Sequence, residues 1–317
     1  MNDNNPDWEK NLVTRLAESS LIEKRRSRRW GIFFKLLTFT YIGIFFYFSS
    51  LTSLTNVSAI KPHTAVVDLN GVIADKEPAS ADNIITALRD AFDNDKTVGV
   101  ILRANSPGGS PVQSGYIYDE IKRLRKLHPD IHLYAVVSDV CASGCYYIAS
   151  AADKIYADKA SIVGSIGVRM DNFGFVDAMK KIGIERRTLT AGKNKALLDP
   201  FLPVNETAKK KVQAMLDEIH QQFIHSVEKG RGKRLDTSVD GLFSGLIWTG
   251  ADAVKIGLID GLGSASYVAR KIIGEQTMVN YTVKDDLLER FAGKLGTTMS
   301  QAISSELSQQ LAVPVAR

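Results

Sequence analysis

The chain has 317 residues, of which 44% are hydrophobic and 24% are charged. This is enough apolar material for a sizeable core, in one large domain or two small ones. The formal net charge is +5, and much of the excess lies in a basic run at residues 24–29. Because an apolar stretch follows this run directly, we exclude a nucleic-acid partner as the reason for it.

That apolar stretch, residues 30–51, predicts a membrane anchor. It contains one charged residue, Lys35, and about 20 apolar residues span a bilayer. The positive-inside rule then places the basic segment 1–29 in the cytoplasm and everything after Leu51 on the far side. A cleaved signal peptide is the alternative, since the small residues 57–59 form a tolerable cleavage site. We interpret residues 52–63 as a linker.

Short apolar segments alternate with helical patterns after the linker. The predicted strands are residues 65–69, 98–102, 131–137, 154–157 and 185–190. The predicted helices begin at Ser80 or Asp82, cover roughly 111–127, 175–182 and 206–229, begin again at Ser143 and Thr249, and follow Lys284. Strands that alternate with helices predict an α/β fold with a largely parallel sheet.

The two cysteines, Cys141 and Cys145, are four residues apart. If both lie on one helix, their Cβ atoms are about 5–6 Å apart. A disulfide prefers about 3.8 Å, so we interpret them as unbonded, buried packing residues. No further Cys or His lies nearby, so we expect no zinc site.

Ser143 lies where a predicted strand turns into a predicted helix, and it has two interpretations. A serine at a helix start is most often an N-cap. However, its small neighbours leave room for an incoming carbonyl, and the N–H of Gly144 could bind a developing oxyanion. Gly108 and Gly109 follow a buried strand and are either an ordinary turn or part of the same oxyanion hole.

A nucleophilic serine needs a base. None of the five histidines, which include His220, stands in a recognisable triad context, although a triad is defined by geometry and not by sequence. The alternative is a lysine, which acts as a base only when it is neutral. Lys195 and Lys193 lie in a glycine-containing loop with apolar neighbours, and from the residues alone each is also an ordinary surface lysine.

Five short motifs follow one another behind the apolar stretch. They are Asn105-Ser106-Pro107-Gly108-Gly109, Cys141-Ala142-Ser143-Gly144, Gly164-Ser165-Ile166-Gly167-Val168, Gly192-Lys193-Asn194-Lys195, and Trp248-Thr249-Gly250 with Gly257-Leu258-Ile259-Asp260. In this order they resemble the short, single-domain form of the signal peptide peptidase A family of membrane-anchored serine proteases. The resemblance covers roughly residues 64–275 and implies an α/β fold of the ClpP/crotonase type, with repeated strand-strand-helix turns. Residues 276–317 are then a C-terminal extension, expected to be helical and to pack in an oligomer.

The resemblance also implies a site. Ser143 would be the nucleophile, Lys195 the general base, and Ser165 a second serine that orients the lysine amine. Backbone N–H groups of Gly109 and Gly144 would form the oxyanion hole. In the family's short form, each active site joins the serine of one copy to the lysine of the next, in a homo-oligomeric ring.

The substrates implied are remnant signal peptides or other unfolded peptides released from the membrane, without a cofactor or metal. The implied location is the bacterial inner membrane, with the catalytic domain on the extracytoplasmic side. Two alternatives remain open. One is a crotonase-like acyl-thioester enzyme, which needs no Ser-Lys dyad, and the other is an inactive, anchored oligomeric scaffold.

Overall fold

The computed structural model describes residues 7–53 and 61–283, and the chain divides into two units, Met1–Ser58 and Ala59–Arg317. In the first unit, the described residues form one long helix, α1 (Asp7–Ser53). Within the described residues, no helix combines the length and the apolar character needed to cross a membrane. The predicted helix after Lys284 lies outside the described residues, as does most of the predicted linker.

The second unit is built around a mixed, mostly parallel sheet. Its strands are β1 (His63–Asn70), β2 (Thr97–Ser106), β3 (His132–Ala142), β4 (Lys154–Ala157), β5 (Ile162–Gly164), β6 (Ile247–Thr249), β7 (Gly261–Leu262) and β8 (Met278–Asn280). The main order is β6-β5-β3-β2-β1-β8, in which only β5 and β6 are antiparallel. The first half of β3 pairs with β4, and its last residues pair with β5. As a result, the carboxyl ends of β2, β3 and β5 meet at one edge of the sheet.

The helices of the second unit are α2 (Ala81–Asp93), α3 (Pro111–Leu127), α4 (Gly144–Ala149), α5 (Val176–Lys181), α6 (Glu206–Arg231), α7 (Gly250–Lys255) and α8 (Ala265–Tyr267), with a 3-10 turn at Gly232–Arg234 and a π-helical segment at Val268–Ile273. Helices pack on both faces of the sheet. The main core contains apolar residues of α2, α3, α4, α6 and α7 and the alternate residues of the central strands that face them. A smaller core on the opposite face packs Val66, Ile101 and Val136 against the π-helical segment.

The predicted α/β class is confirmed, and so are most elements. Helix α3 and strand β4 have the predicted bounds, and α6 is two residues longer than predicted. The predicted strand at residues 185–190 is wrong, because every residue of this segment is exposed and the segment pairs with no described strand. Conversely, β5 was not predicted, because three residues are too few to show a period.

Candidate functional site

Ser143 is the single residue between β3 and α4. Its backbone has φ +54° and ψ −124°, a conformation that costs a non-glycine residue about 1–3 kcal/mol. Among the described residues, its hydroxyl has no hydrogen-bond partner, and its side chain makes no cap bond to α4. The helix-cap interpretation of Ser143 is therefore wrong. A strained strand-to-helix turn is instead the geometry that presents a nucleophilic serine.

The turn at Ser143 is held on its helical side by the packing of α4. The amide of Tyr147 donates to the Ser143 carbonyl at 3.0 Å. Tyr146 is fully buried, and its hydroxyl donates to the carbonyl of Leu258 at 2.6 Å. Desolvation by this burial raises the pKa of Tyr146, so the phenol stays neutral and keeps its proton for that bond. Helix α4 is thus fixed to the core directly beside the serine.

The turn after β2 lies against the turn at Ser143. A Cβ atom on Gly108, which has φ +98°, would lie 2.7 Å from the carbonyl oxygen of Ala142 and 2.8 Å from the amide nitrogen of Gly144. Only glycine fits such a contact. Gly108 therefore allows the backbone of this turn to approach the backbone at Ser143 closely. This contact contradicts the interpretation of Gly108 and Gly109 as an ordinary turn.

Gly109 and Gly144 bring two backbone amides together. A Cβ atom on Gly144 would lie 3.3 Å from the Gly109 nitrogen and 2.5 Å from Oγ of Ser114, and one on Gly109 would lie 2.1 Å from the carbonyl oxygen of Ile73. In the described part of the chain, neither amide donates a hydrogen bond. Two adjacent, unpaired N–H groups beside a serine form the donor pair that an oxyanion requires.

Ser165 lies beside Ser143 and directly follows the neighbouring strand β5. Ala142 and Gly164 are register partners in β3 and β5, and the Ser143 amide donates to the Gly164 carbonyl at 2.8 Å. Each serine is the first residue after its strand. Ser165 also has a positive φ, +52°, and its amide donates to the carbonyl of Leu246 at 2.7 Å. The structure therefore brings the two serines together at one end of the sheet.

Trp248 in β6 packs against the strand end that carries Ser165. A Cβ atom on Gly164 would lie 2.8 Å from the indole Cδ1 of Trp248. The indole Nε1 is buried and has no hydrogen-bond partner among the described residues. Trp248 belongs to one of the motifs quoted above, but the sequence did not place it beside the serines, because that contact depends on the antiparallel pairing of β5 with β6.

His220 on α6 also reaches this region. Its Nε2 atom lies 3.1 Å from the carbonyl oxygen of Ile166, one residue beyond Ser165. Since a carbonyl only accepts, this contact requires the proton on Nε2. From the sequence alone, His220 has no recognisable triad context, and the structure places it where it holds the backbone after β5.

Lys195 is not joined to the serines within the chain. It lies in an exposed turn, in which its backbone amide donates to the carbonyl of Gly192 at 3.1 Å. Its side-chain amine makes no hydrogen bond or ion pair with any described residue, Ser143 and Ser165 included. The structure of one copy therefore assembles the two serines and the two glycine amides, and leaves Lys195 in solvent.

The two cysteines form a disulfide, which corrects the sequence-based expectation. The Cα atoms of Cys141 and Cys145 are 5.1 Å apart, and both side chains are fully buried. The expectation assumed that both residues lie on one helix. Cys141 is instead in β3 and Cys145 is the second residue of α4, with the sharp turn at Ser143 between them. The turn brings the two side chains closer than helical spacing allows.

Comparison with known proteins identifies the family. A model described as Peptidase family S49 matches residues 125–278. A protein of Methanocaldococcus jannaschii that is named as a protease is 35% identical over 214 residues, which are 68% of each chain. The chain belongs to peptidase family S49. This confirms the resemblance to the signal peptide peptidase A family, since a protein of Enterococcus faecium named as signal peptide peptidase SppA is 31% identical over 226 residues, 68% of this chain and 64% of that one.

A third relative is much longer than this chain. A Na(+)/H(+) antiporter NhaA of Brucella abortus is 41% identical over 242 residues, 76% of this chain but only 32% of that protein. The chain thus spans about a third of the length of that relative. The S49 match includes Ser143, Ser165 and Lys195 and begins after Gly109, so the glycine turn is assigned to the site by its contacts alone.

Proposed function

We propose that this S49 protein is a membrane-anchored serine endopeptidase with Ser143 as its nucleophile. One observation carries the proposal. Ser143 lies on a strained strand-to-helix turn, next to the amides of Gly109 and Gly144, and neither its hydroxyl nor these amides have a hydrogen-bond partner among the residues that the structure describes. A strained residue persists only where the surrounding structure holds it, and such residues cluster at active sites. The fold proposed for the second unit is the ClpP/crotonase type.

In the proposed mechanism, Lys195 is the general base of a Ser-Lys dyad. Its neutral amine takes the proton of Ser143 Oγ, and the oxygen attacks the carbonyl carbon of the scissile peptide bond. The amides of Gly109 and Gly144 bind the oxygen that becomes negative. Lys195 then protonates the leaving amine, and water hydrolyses the ester on Ser143. Ser165, which lies beside Ser143, orients the lysine amine.

We propose that Lys195 comes from a second copy of the chain, in a homo-oligomeric ring. The exposed segment around Lys195 supports this. It carries large apolar side chains that are open to solvent in one copy, among them Phe173, Leu189 and Val204, and Leu189 is 99% exposed. Large exposed apolar patches mark interaction surfaces. A neighbouring copy that covers them brings the lysine in with them.

We further propose that residues 30–51 anchor the chain in the bacterial inner membrane, with the S49 unit on the extracytoplasmic side. The support is the composition of this stretch and the basic run before it. Large apolar side chains of this part of α1, such as Phe33, Leu37 and Phe39, are exposed within the first unit. Sedimentation of the full chain with membranes after an alkaline carbonate wash tests the anchor, and release by the wash would refute it.

The proposed substrates are remnant signal peptides or other unfolded peptides that leave the membrane. An extended peptide pairs with a free strand edge through main-chain hydrogen bonds. Strand β6, two strands from Ser143, ends the main sheet order and pairs only with β5 among the described strands. Its first residue, Ile247, and the preceding Leu246 are exposed, so a peptide that binds there lies near the two serines.

The first experiment is cleavage of a signal-peptide-like substrate by the full chain, as wild type, Ser143→Ala and Lys195→Ala. Lys193→Ala is the matched control, because Lys193 is an exposed lysine of the same loop. We expect cleavage to be lost in the first two variants and kept in the control. Cleavage that survives Ser143→Ala, with an unchanged assembly state, would refute the proposal.

A second experiment tests the shared site. Ser143→Ala and Lys195→Ala chains are inactive alone, and a mixed ring places an intact Ser143 beside an intact Lys195. We therefore expect co-assembly of the two variants to restore part of the activity. Mixed rings without activity, shown to contain both chains by mass spectrometry, would refute the contribution from a second copy.

The same assays separate the two alternatives. A crotonase-like enzyme would hydrolyse an acyl-thioester at a rate that Ser143→Ala leaves unchanged, because its oxyanion hole needs no serine. An inactive scaffold would cleave neither substrate.

A further inference from the structure

The disulfide encloses the proposed nucleophile. Cys141 is the second-last residue of β3, Cys145 is the second residue of α4, and Ser143 is the midpoint between them. The bond therefore closes a five-residue loop whose middle residue has the strained φ of +54°. The bond joins the end of β3 to the first turn of α4. The relative direction of these two elements sets the position of Ser143.

Neither cysteine is free to move when the bond is intact. Both are fully buried in the main core. Cys141 is also held by pairing with Val163 of β5, and α4 is held by the buried Tyr146. A close-packed interior has no spare volume into which a displaced side chain can relax. The sulfur atoms of two separate thiols must lie farther apart than two sulfur atoms that are bonded. When the bond is broken, α4 must therefore move away from β3.

We propose that the Cys141–Cys145 disulfide is a positioning element for Ser143, so that the peptidase activity depends on the oxidation state of this pair. The inference rests on the proposed function of Ser143. A shift of α4 moves Gly144, and with it one of the two amides that bind the oxyanion, away from Gly109. Donors aimed at the transition state act only at the right distance. Reduction therefore lowers kcat and leaves KM nearly unchanged.

The redox step is an exchange with a dithiol. The dithiol gives two electrons and two protons to the bond between the two Sγ atoms, and it closes to its own cyclic disulfide. The products on the protein are the thiols of Cys141 and Cys145. Because both sulfur atoms are buried, attack requires local opening, and reduction is slow under native conditions. The proposed extracytoplasmic location keeps the pair oxidised.

The test measures kcat and KM of the full chain in detergent in two oxidation states. The states are wild type as purified and wild type reduced by dithiothreitol, with free thiols counted by maleimide labelling in denaturant. The matched control is the double variant Cys141→Ala with Cys145→Ala, which carries no bond to reduce. We expect a 10- to 100-fold lower kcat in the reduced wild type, a KM within about 3-fold, and recovery after reoxidation. The double variant carries neither the bond nor two thiols that must separate, so its kcat should not change when dithiothreitol is added.

The outcomes are distinct. If the oxidised chain cleaves peptide, and its kcat is unchanged after reduction to two counted thiols, this inference alone is refuted. Purified chain with two free thiols and full activity would refute it as well. If native reduction is too slow, the kcat of wild type that was reduced in denaturant and refolded in dithiothreitol decides. If the double variant does not fold, recovery of kcat after reoxidation serves as the control. An oxidised chain without Ser143-dependent cleavage would refute the proposed function, and this inference with it.

Discussion

Two substitutions at Ser143 separate a strained nucleophile from a helix cap by their effect on stability. Ser143→Ala keeps the strained φ of +54° and removes a hydroxyl that has no hydrogen-bond partner among the described residues. We therefore expect its free energy of unfolding to stay within about 0.5 kcal/mol of wild type. Ser143→Gly relieves the strain, because glycine adopts positive φ freely. We expect this variant to be more stable than wild type, and both variants to be inactive.

The magnitude follows from the backbone conformation. The strain at Ser143 costs about 1–3 kcal/mol, and glycine gives back about 0.5–1 kcal/mol through the entropy of the unfolded chain. The net gain for Ser143→Gly is about 1 kcal/mol. For a domain of this size, 1 kcal/mol corresponds to a rise of about 2–4 °C in the midpoint of thermal unfolding. A helix cap predicts the opposite, a loss of about 1 kcal/mol in Ser143→Ala.

The assay is thermal unfolding of wild type, both variants and one control, at a fixed protein concentration because assembly adds to apparent stability. The control is Ser110→Ala. Ser110 is a true N-cap of α3, whose side chain accepts a hydrogen bond from the amide of Gln113 at 3.3 Å, so its loss should lower the midpoint by about 2–4 °C. A Ser143→Ala midpoint that falls as far as that of Ser110→Ala, or a Ser143→Gly midpoint below wild type, would refute the reasoning.

Three further predictions concern the supports of the site and the core. Hydrogen bonds from Arg123 and a second arginine lower the pKa of the buried Glu120 carboxyl from 4.5 to about 2, so the carboxylate stabilises the fold fully above pH 4.5 and loses this effect as the pH falls toward 2. In denaturant unfolding, the free energy of unfolding should fall over that pH range by about 1–2 kcal/mol less in Glu120→Gln than in wild type. Equal decreases would refute the pairing. His220→Leu removes the bond to the Ile166 carbonyl and should lower both peptidase rate and stability, the latter by about 1 kcal/mol, while an unchanged rate in folded protein would exclude a role for this contact. Gly109→Ala places a Cβ atom 2.1 Å from a backbone oxygen, so the chain should lose at least about 100-fold in peptidase rate, and near-normal activity would rule out its amide as an oxyanion donor.

Elements with a clear period and clear ends could be predicted from the sequence. Helix α3 begins at a proline after a serine cap, and α6 combines a long apolar stripe with an N-terminal Asn205 whose side chain caps it. Both helices are long, so the helical spacing of their apolar residues repeats over several turns. The segment 185–190 has a single apolar residue, Leu189, between two threonines, which favour strands only weakly by themselves. Since β-strand formation depends on partners elsewhere in the chain, this segment without a partner strand is an exposed loop.

The error about the cysteines has a different cause. The distance between Cys141 and Cys145 was taken from helical geometry, which assumes α-helical φ and ψ at every residue between them. Ser143 breaks that assumption with a positive φ, and no sequence pattern marks a serine that adopts it. The resemblance to a family predicted the roles of the serine, the glycines and the lysine. The disulfide between Cys141 and Cys145 can be recognised only from the positions of the strand and helix ends.

The position of Lys195 links assembly to catalysis in the proposed function. A lysine becomes a base when burial removes water from its amine, and in one copy this amine is exposed. The apolar side chains near it, such as Leu189 and Phe173, are exposed as well. A second copy that buries these side chains against its own surface also desolvates the amine and delivers it to Ser143. Burial of the apolar segment and activation of the base are then one event, and under this proposal a separate chain lacks a complete active site.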